Sequence, residues 1–238
     1  SPLSCRISCE IYGRKNTTKF AQIRSVFQVP FEANGSNVGN FQISLACDIL
    51  KKGGVVVTPT DTLYGLGVDA FNPLAVEKVF RIKGRAWNLP LPVFLNSYED
   101  LPLVTNRIPD LARKLGKTFW PGGLTLVVPK SEAVPSILTA SGLTLGVRVP
   151  DHAIPRSLVQ QLGRPITGTS ANVSGQPDIV SSSELQLKLG DKVDMILDGE
   201  LPNPPLPSTV IDLTGEFPRV VREGAVSLSE LSVYFSVG

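Results

Sequence analysis

Short apolar runs that fit β-strands alternate with amphipathic stretches that fit α-helices along most of this chain. Strands and helices do not alternate as regularly as in a βαβ series, so the pattern predicts a mixed, twisted α/β sheet with helices packed against it. Residues 41–238 are predicted to form a single domain. Residues 1–40 show little helix or strand period and form an N-terminal extension of unassigned role, in which residues 23–31 are a candidate strand for the sheet edge.

The predicted elements follow hydrophobic periodicity and the signals that begin or end helices. Helices are predicted at residues 41–50, 72–82, 111–119, 153–162, 183–189 and 229–235. Strands are predicted at residues 55–58, 91–95, 125–129, 146–149, 165–168, 195–197, 209–213 and 219–221. Asn72 before Pro73 is the clearest helix start, since Asn caps well and Pro suits the first turn. The proline-rich residues 201–207 are predicted to be a loop.

Two of the predicted strands end in small polar side chains. Thr60, Thr62 and Tyr64 follow the strand at residues 55–58, and Ser170-Ala171-Asn172 follows the strand at residues 165–168. Ligands of α/β sheets collect at the carboxyl ends of strands. The sequence therefore predicts a ligand site at this edge.

Lys83 and Arg85 follow a predicted helix and are expected to project into the same crevice. An ammonium and a planar guanidinium can together neutralise a triphosphate. The pair predicts a nucleotide site that lacks a Gly-Lys-Ser/Thr loop.

Gly65-Leu66-Gly67 superficially matches a dinucleotide-binding fingerprint. We reject that interpretation because the basic Lys83 and Arg85 stand about twenty residues later, where an acidic group should meet a ribose. The two glycines are instead predicted to form a tight turn that needs positive φ.

Arg148 interrupts an apolar strand, where a charge is costly unless it is paired. A carboxylate ligand or an internal salt bridge would satisfy it, and both remain open. His152 is the only histidine and stands at a predicted helix start, where a capping or surface role is expected.

The formal net charge is only +2, so overall charge does not indicate nucleic-acid binding. This low net charge does not exclude a local basic groove. The three cysteines form no metal-binding spacing with histidine and favour a reducing compartment. The sequence contains neither an apolar stretch of about 18 residues nor a signal-peptide pattern. We expect a cytoplasmic protein without a membrane segment.

These motifs together resemble the YrdC family, the threonylcarbamoyl-AMP synthases that start tRNA threonylcarbamoyladenosine synthesis. The resemblance runs from roughly Phe41 to Tyr234, and its signature is Lys83 and Arg85 followed by Ser170 and Asn172. Segments at residues 120–125, 146–150, 207–212 and 221–224 also occur in the family's order. The resemblance implies a YrdC-like sheet with a concave ligand-binding face.

The resemblance also implies a reaction, in which L-threonine, bicarbonate or CO2, and ATP condense to threonylcarbamoyl-AMP and pyrophosphate. Lys83 and Arg85 would be catalytic. The implied L-threonine site comprises Thr62, Arg148, Gly168 and Ser208, and the implied ATP site comprises Lys83, Arg85, Thr144, Ser170, Asn172 and Arg222.

By the same resemblance, Mg²⁺ would accompany ATP, and no zinc, flavin or protein-bound metal is expected. The expected partners are a downstream tRNA threonylcarbamoyl transferase and tRNA or double-stranded RNA.

Leu89 and Phe94 depart from the family pattern, at a nucleotide-contacting and a threonine-facing position. They leave open a sub-family with altered substrate. Two alternative functions also remain: an RNA-binding YrdC-like module without catalysis, and a carbamoyl-transfer or carbamoyl-adenylate-forming enzyme.

Overall fold

The computed structural model describes residues 27–30 and 37–235. The helices are α1 (Asn37–Lys51), α2 (Pro73–Lys83), α3 (Asp110–Phe119), α4 (Ala153–Leu162), α5 (Ser182–Leu189) and α6 (Leu228–Leu231). The strands are β1 (Phe27–Pro30), β2 (Val56–Thr58), β3 (Gly65–Gly67), β4 (Val93–Phe94), β5 (Leu124–Pro129), β6 (Thr144–Arg148), β7 (Ile166–Thr167), β8 (Thr169–Ser170), β9 (Met195–Asp198), β10 (Thr209–Asp212) and β11 (Arg219–Arg222). Two short 3-10 helices lie at Tyr98–Leu103 and Gly190–Lys192.

The described strands form two mixed sheets flanked by helices, which confirms the α/β class but divides the expected sheet in two. The first sheet has the order β1-β9-β2-β3-β8, and the second has the order β11-β10-β5-β6-β4-β7. The strand predicted at residues 165–168 splits at Gly168, because β7 pairs with β4 and β8 pairs with β3. β1 pairs in parallel with β9 at the edge of the first sheet, as expected for this part of the candidate strand. Residues 23–26 and 31 of that prediction lie outside the described residues.

Two helix starts follow the sequence signals. Oδ1 of Asn72 accepts hydrogen bonds from the main-chain N–H groups of Leu74 and Ala75, at 3.1 and 3.3 Å. Gly84, with φ of 55°, caps the C-terminal end of α2. Nδ1 of His152 accepts from the N–H of Ile154 at 3.2 Å, so His152 is the N-cap of α4. The expected capping role of His152 is confirmed.

The prediction of a positive-φ turn at Gly65 and Gly67 is wrong. Both glycines lie in β3, between β2 and β8, and neither has positive φ. A β-carbon at Gly65 would lie 3.3 Å from the Phe94 ring, and one at Gly67 would lie 3.3 Å from the main-chain oxygen of Val56. Their small size therefore permits close strand and side-chain approach.

Alternate residues of β2 pack into different clusters, as the two-residue period of a strand requires. Val57 belongs to the larger core, whereas Val56 packs in a second cluster with residues of α1 and α4. Phe94 belongs to this second cluster and is 3% exposed. The first sheet thus packs apolar side chains on both of its faces at β2. None of the described helices combines the length and apolar character needed to span a membrane.

Candidate functional site

A cavity of about 440 Å³ is lined by residues from both sheets. Its volume falls within the range of roughly 300 to 1,000 Å³ that is usual for ligand pockets. Among the residues predicted for the site, those in the wall are Thr62, Arg85, Thr144, Arg148, Gly168, Ser170, Ser208 and Arg222. The remaining two, Lys83 and Asn172, lie behind Ser170. The structure thus brings together residues that are far apart in the chain.

Arg148 is 4% exposed, and an internal salt bridge is one of the two partners that its sequence position left open. Its Nη2 lies 2.6 Å from Oδ1 of Asp61, its Nη1 donates to Oγ1 of Thr62 at 2.6 Å, and its Nε donates to the main-chain oxygen of Gly122 at 2.9 Å. Burial lowers the pKa of Arg148, and the negative charge of Asp61 opposes that shift. An internal salt bridge therefore holds the guanidinium in the wall.

Thr62 is held against Arg148 by a local turn. Oγ1 of Thr60 accepts from the N–H groups of Thr62 and Leu63, both at 3.0 Å, and lies 2.6 Å from the main-chain oxygen of Leu63. Short hydroxyl side chains favour such turns because they hydrogen-bond nearby main-chain groups. The turn fixes the position of the Thr62 hydroxyl in the loop between β2 and β3.

Lys83 occupies a buried position, which differs from the expectation that it would share a crevice with Arg85. Its side chain is 1% exposed, and its Nζ donates to the main-chain oxygens of Ser170 and Asn172 at 2.6 and 2.9 Å and to Oδ1 of Asn172 at 2.9 Å. Burial lowers the pKa of Lys83 to about 8, and the charge of Arg85 acts in the same direction. An ammonium has three donor hydrogens, and all three have partners here.

Arg85 lines the cavity and is held by the segment that follows it. Its Nε donates to the main-chain oxygen of Leu89 at 3.1 Å, and its Nη2 donates to that of Pro90 at 3.0 Å. The Leu89 side chain itself does not line the cavity. Trp87 stacks on Phe80 with ring centres 4.9 Å apart, so one of its faces is already covered.

Ser208, directly before β10, and Arg222, the last residue of β11, approach each other. Nε and Nη2 of Arg222 both donate to the main-chain oxygen of Ser208, at 3.1 and 2.8 Å, and Oγ of Ser208 lies 2.9 Å from Oγ1 of Thr125. Burial lowers the pKa of Arg222, and Asp178 opposes that shift. The wall therefore carries the guanidinium groups of Arg85, Arg148 and Arg222.

Phe94 forms part of the wall and fits closely against Gly168. A β-carbon at Gly168 would lie 2.5 Å from Cε1 of Phe94, so any larger residue would displace the ring. The ring centre also lies 5.7 Å from Cζ of Arg148, within cation–π range. Phe94 thus connects the two sheets at the cavity.

Several wall residues were missed by sequence reasoning. Thr125 and Asp178 line the cavity, and Asp61 pairs with Arg148 behind it. The alternation of β5 could have indicated Thr125, and an acidic residue beside the Ser-x-Asn motif could have indicated Asp178. The described residues contain no group of three or more His, Cys, Asp or Glu side chains that could hold a metal ion.

The chain is similar in sequence to a known protein family and to its members. The family model for Sua5/YciO/YrdC proteins, described as "Telomere recombination", matches residues 48–224. A threonylcarbamoyl-AMP synthase of Pyrococcus abyssi is 39% identical over 194 residues, which cover 82% of this chain but 57% of that protein. A threonylcarbamoyl-AMP synthase of Photobacterium profundum is 34% identical over 177 residues, which cover 74% of this chain and 95% of that protein.

A solved structure has the same fold. The crystal structure of Pyrococcus abyssi Sua5 complexed with L-threonine superposes with a TM-score of 0.82 and 36% identity, over 89% of this chain and 61% of that one. The present chain is therefore similar to somewhat more than half of the longer relative.

Proposed function

This chain belongs to the Sua5/YciO/YrdC family, and from that membership we propose that it is an L-threonylcarbamoyladenylate synthase, an ATP-dependent nucleotidyltransferase. It would condense L-threonine, bicarbonate or CO2, and ATP to threonylcarbamoyl-AMP and pyrophosphate. The observation that carries this proposal is that three guanidinium groups and several hydroxyl groups surround one cavity. Such a wall suits two anionic substrates, an amino acid and a nucleotide.

The amino-acid half of the cavity is assigned to Arg148 and Thr62. A guanidinium has five N–H donors, and Arg148 uses three of them on Asp61, Thr62 and Gly122. The remaining donors suit the carboxylate of L-threonine, with Ser208 and the main chain at Gly168 nearby in the same wall. The crystal structure of the Pyrococcus abyssi relative complexed with L-threonine supports L-threonine as the amino-acid substrate.

The nucleotide half is assigned to Arg85 and Arg222, with the hydroxyl groups of Thr144 and Ser170. Lys83 would act without touching the nucleotide, because Ser170 and Asn172 accept all three of its hydrogen bonds. Its positive charge would strengthen the field at the phosphates, and its hydrogen bonds would position the Ser170 and Asn172 segment. Lys83 and Asn172 are therefore positioning residues in this proposal.

The reaction requires alignment and charge stabilisation. The threonine amine would take up CO2 and release a proton to solvent to form a carbamate. A carbamate oxygen would then attack the α-phosphorus, and the bond from that phosphorus to pyrophosphate would break. Arg85 and Arg222 would stabilise the charge that develops on the phosphates. Mg²⁺ bound to ATP would neutralise further phosphate charge. The unstable product would then pass to a transferase that acts on tRNA in the cytoplasm.

Mass spectrometry of the products formed from L-threonine, labelled bicarbonate, ATP and Mg²⁺ tests the proposal. We expect a labelled threonylcarbamoyl-adenylate and pyrophosphate release that depends on threonine. Competition with serine and carbamoyl phosphate would reveal a different substrate. RNA affinity without threonine-dependent turnover would instead indicate a non-catalytic RNA-binding module.

A further inference from the structure

Asp178 supplies the only acidic side chain among the described residues that line the cavity. It lies in the loop after β8, eight positions beyond Ser170, and is exposed to solvent. The proposed reaction assigns it no role, although a carboxylate beside bound phosphates would repel them.

Asp178 is connected to the buried lysine through one amide side chain. Nδ2 of Asn172 donates to Oδ1 of Asp178 at 3.3 Å and to the main-chain oxygen of Gln176 at 2.7 Å. Oδ1 of the same amide accepts from Nζ of Lys83 at 2.9 Å and from Oγ of Ser170 at 2.8 Å. The carboxylate is therefore held beside the residues assigned to ATP.

The charge of Asp178 reaches two of the basic side chains. Burial lowers the pKa of both Lys83 and Arg222, and the negative charge of Asp178 opposes that shift in each case. Within the described residues, Oδ2 of Asp178 makes no hydrogen bond, whereas Oδ1 is engaged by Asn172. One carboxylate oxygen thus remains for a ligand.

Mg²⁺ suits a carboxylate in this setting. The ion prefers oxygen donors and is usually held through one or two carboxylates together with the phosphates of the substrate. A cation between Asp178 and the phosphates would convert repulsion into attraction.

We propose that the carboxylate of Asp178 binds the Mg²⁺ ion that accompanies ATP. This inference rests on the proposed function, because it requires ATP to occupy the Arg85 and Arg222 side of the cavity. It gives the chain a metal-binding residue that the Lys83, Arg85, Ser170 and Asn172 signature does not contain.

Calorimetric titration with a non-hydrolysable ATP analogue, in Mg²⁺ and in EDTA, tests the proposal. In the wild-type protein we expect Mg²⁺ to tighten binding. In Asp178→Asn we expect this gain to fall by about tenfold or more, while affinity for the metal-free analogue is unchanged or improved. Asp191→Asn is the control, because Asp191 is exposed and outside the cavity wall.

Electron paramagnetic resonance of Mn²⁺ with the same analogue provides a readout that does not depend on turnover. We expect tight Mn²⁺ binding in the wild-type complex and weaker binding in Asp178→Asn. In Asp178→Cys we expect Cd²⁺ to be preferred over Mg²⁺, because thiolates favour softer metals.

The possible outcomes separate the two proposals. An unchanged Mg²⁺ effect in Asp178→Asn would overturn the metal assignment. Equal weakening with and without Mg²⁺ would also overturn it, because the carboxylate would then hold a ribose or adenine donor. If the wild-type protein binds no analogue under either condition, the proposed ATP-dependent function fails.

Discussion

Lys83 and Asn172 are joined by two hydrogen bonds from one ammonium group, each 2.9 Å long, to the main-chain oxygen and the amide oxygen of Asn172. Their positions are 89 residues apart in the chain. The contact attaches the end of α2 to the loop after β8. It also places the positive charge of Lys83 next to the Ser170 and Asn172 segment, behind the cavity wall. The following predictions depend on this arrangement and on the guanidinium groups in front of it.

The Lys83 ammonium predicts an alkaline limit to activity. Burial lowers its pKa from 10.5 to about 8, so the supporting charge is lost as pH rises through about 8. Threonine-dependent pyrophosphate release by the wild-type protein should fall in that pH range. Lys83→Arg keeps its positive charge there, so the activity that this variant retains should not fall over the same range. Identical alkaline limbs in both proteins would contradict the assignment.

The same pKa shift predicts an opposite trend in stability. Between pH 8 and 10.5 the unfolded chain holds more protons at Lys83 than the folded protein does, so this residue's contribution to the free energy of unfolding rises with pH. Denaturant titrations across that window should show a more positive pH slope for the wild-type protein than for Lys83→Met. An equal pH slope in the two proteins would contradict the lowered pKa of Lys83.

Arg85→Ala should lower threonine-dependent pyrophosphate release on the order of a hundredfold or more, because the proposed function places the charge of Arg85 beside the phosphates. The melting temperature should change little, since Arg85 contacts only main-chain oxygens of Leu89 and Pro90. Arg81→Ala is the control, because Arg81 pairs with Glu77 on the helix surface. Similar activity losses in both variants would argue against a specific role for Arg85.

Asp61→Asn should destabilise the protein, because it leaves the guanidinium of Arg148 buried without its counter-charge. The upper bound for breaking a buried ion pair is about 3–5 kcal/mol. Glu184→Gln breaks the more exposed pair with Lys188 and should cost less than about 1 kcal/mol. Chemical denaturation of both variants measures the difference, and comparable losses would show that Arg148 does not depend on Asp61.

Gly168→Ala should destabilise the fold by about 1–3 kcal/mol, because the added methyl group meets the Phe94 ring. Phe94→Leu removes the ring atoms nearest to that position and should recover part of the loss in the double variant. A double-mutant cycle followed by thermal unfolding measures the coupling. Additive effects would show that the ring moves aside without cost.

Local patterns predicted most of the elements because their causes are local. The cap at Asn72, the glycine end of α2 and the helix at Ala153–Leu162 depend on neighbours within a few positions. The two polar segments that follow two of the predicted strands lie side by side, and the pairing of Gly65 with Ser170 joins them. The Gly65 and Gly67 prediction was wrong because the same glycines suit either a turn or close strand packing, and only the neighbouring Phe94 and Val56 select between them.

The amino-acid sequence by itself determined the α/β class, nearly all helix and strand positions, and a set of polar and basic residues whose order resembles one enzyme family. Only the tertiary structure decided that the strands form two sheets and that the buried Lys83 donates to the main chain of Ser170. It also decided that Asp61 pairs with Arg148 and that Asp178 lines the cavity. The reason is physical: periodicity and capping act over one or two turns of chain. Burial, ion pairing and pKa depend on which distant segments fold against each other.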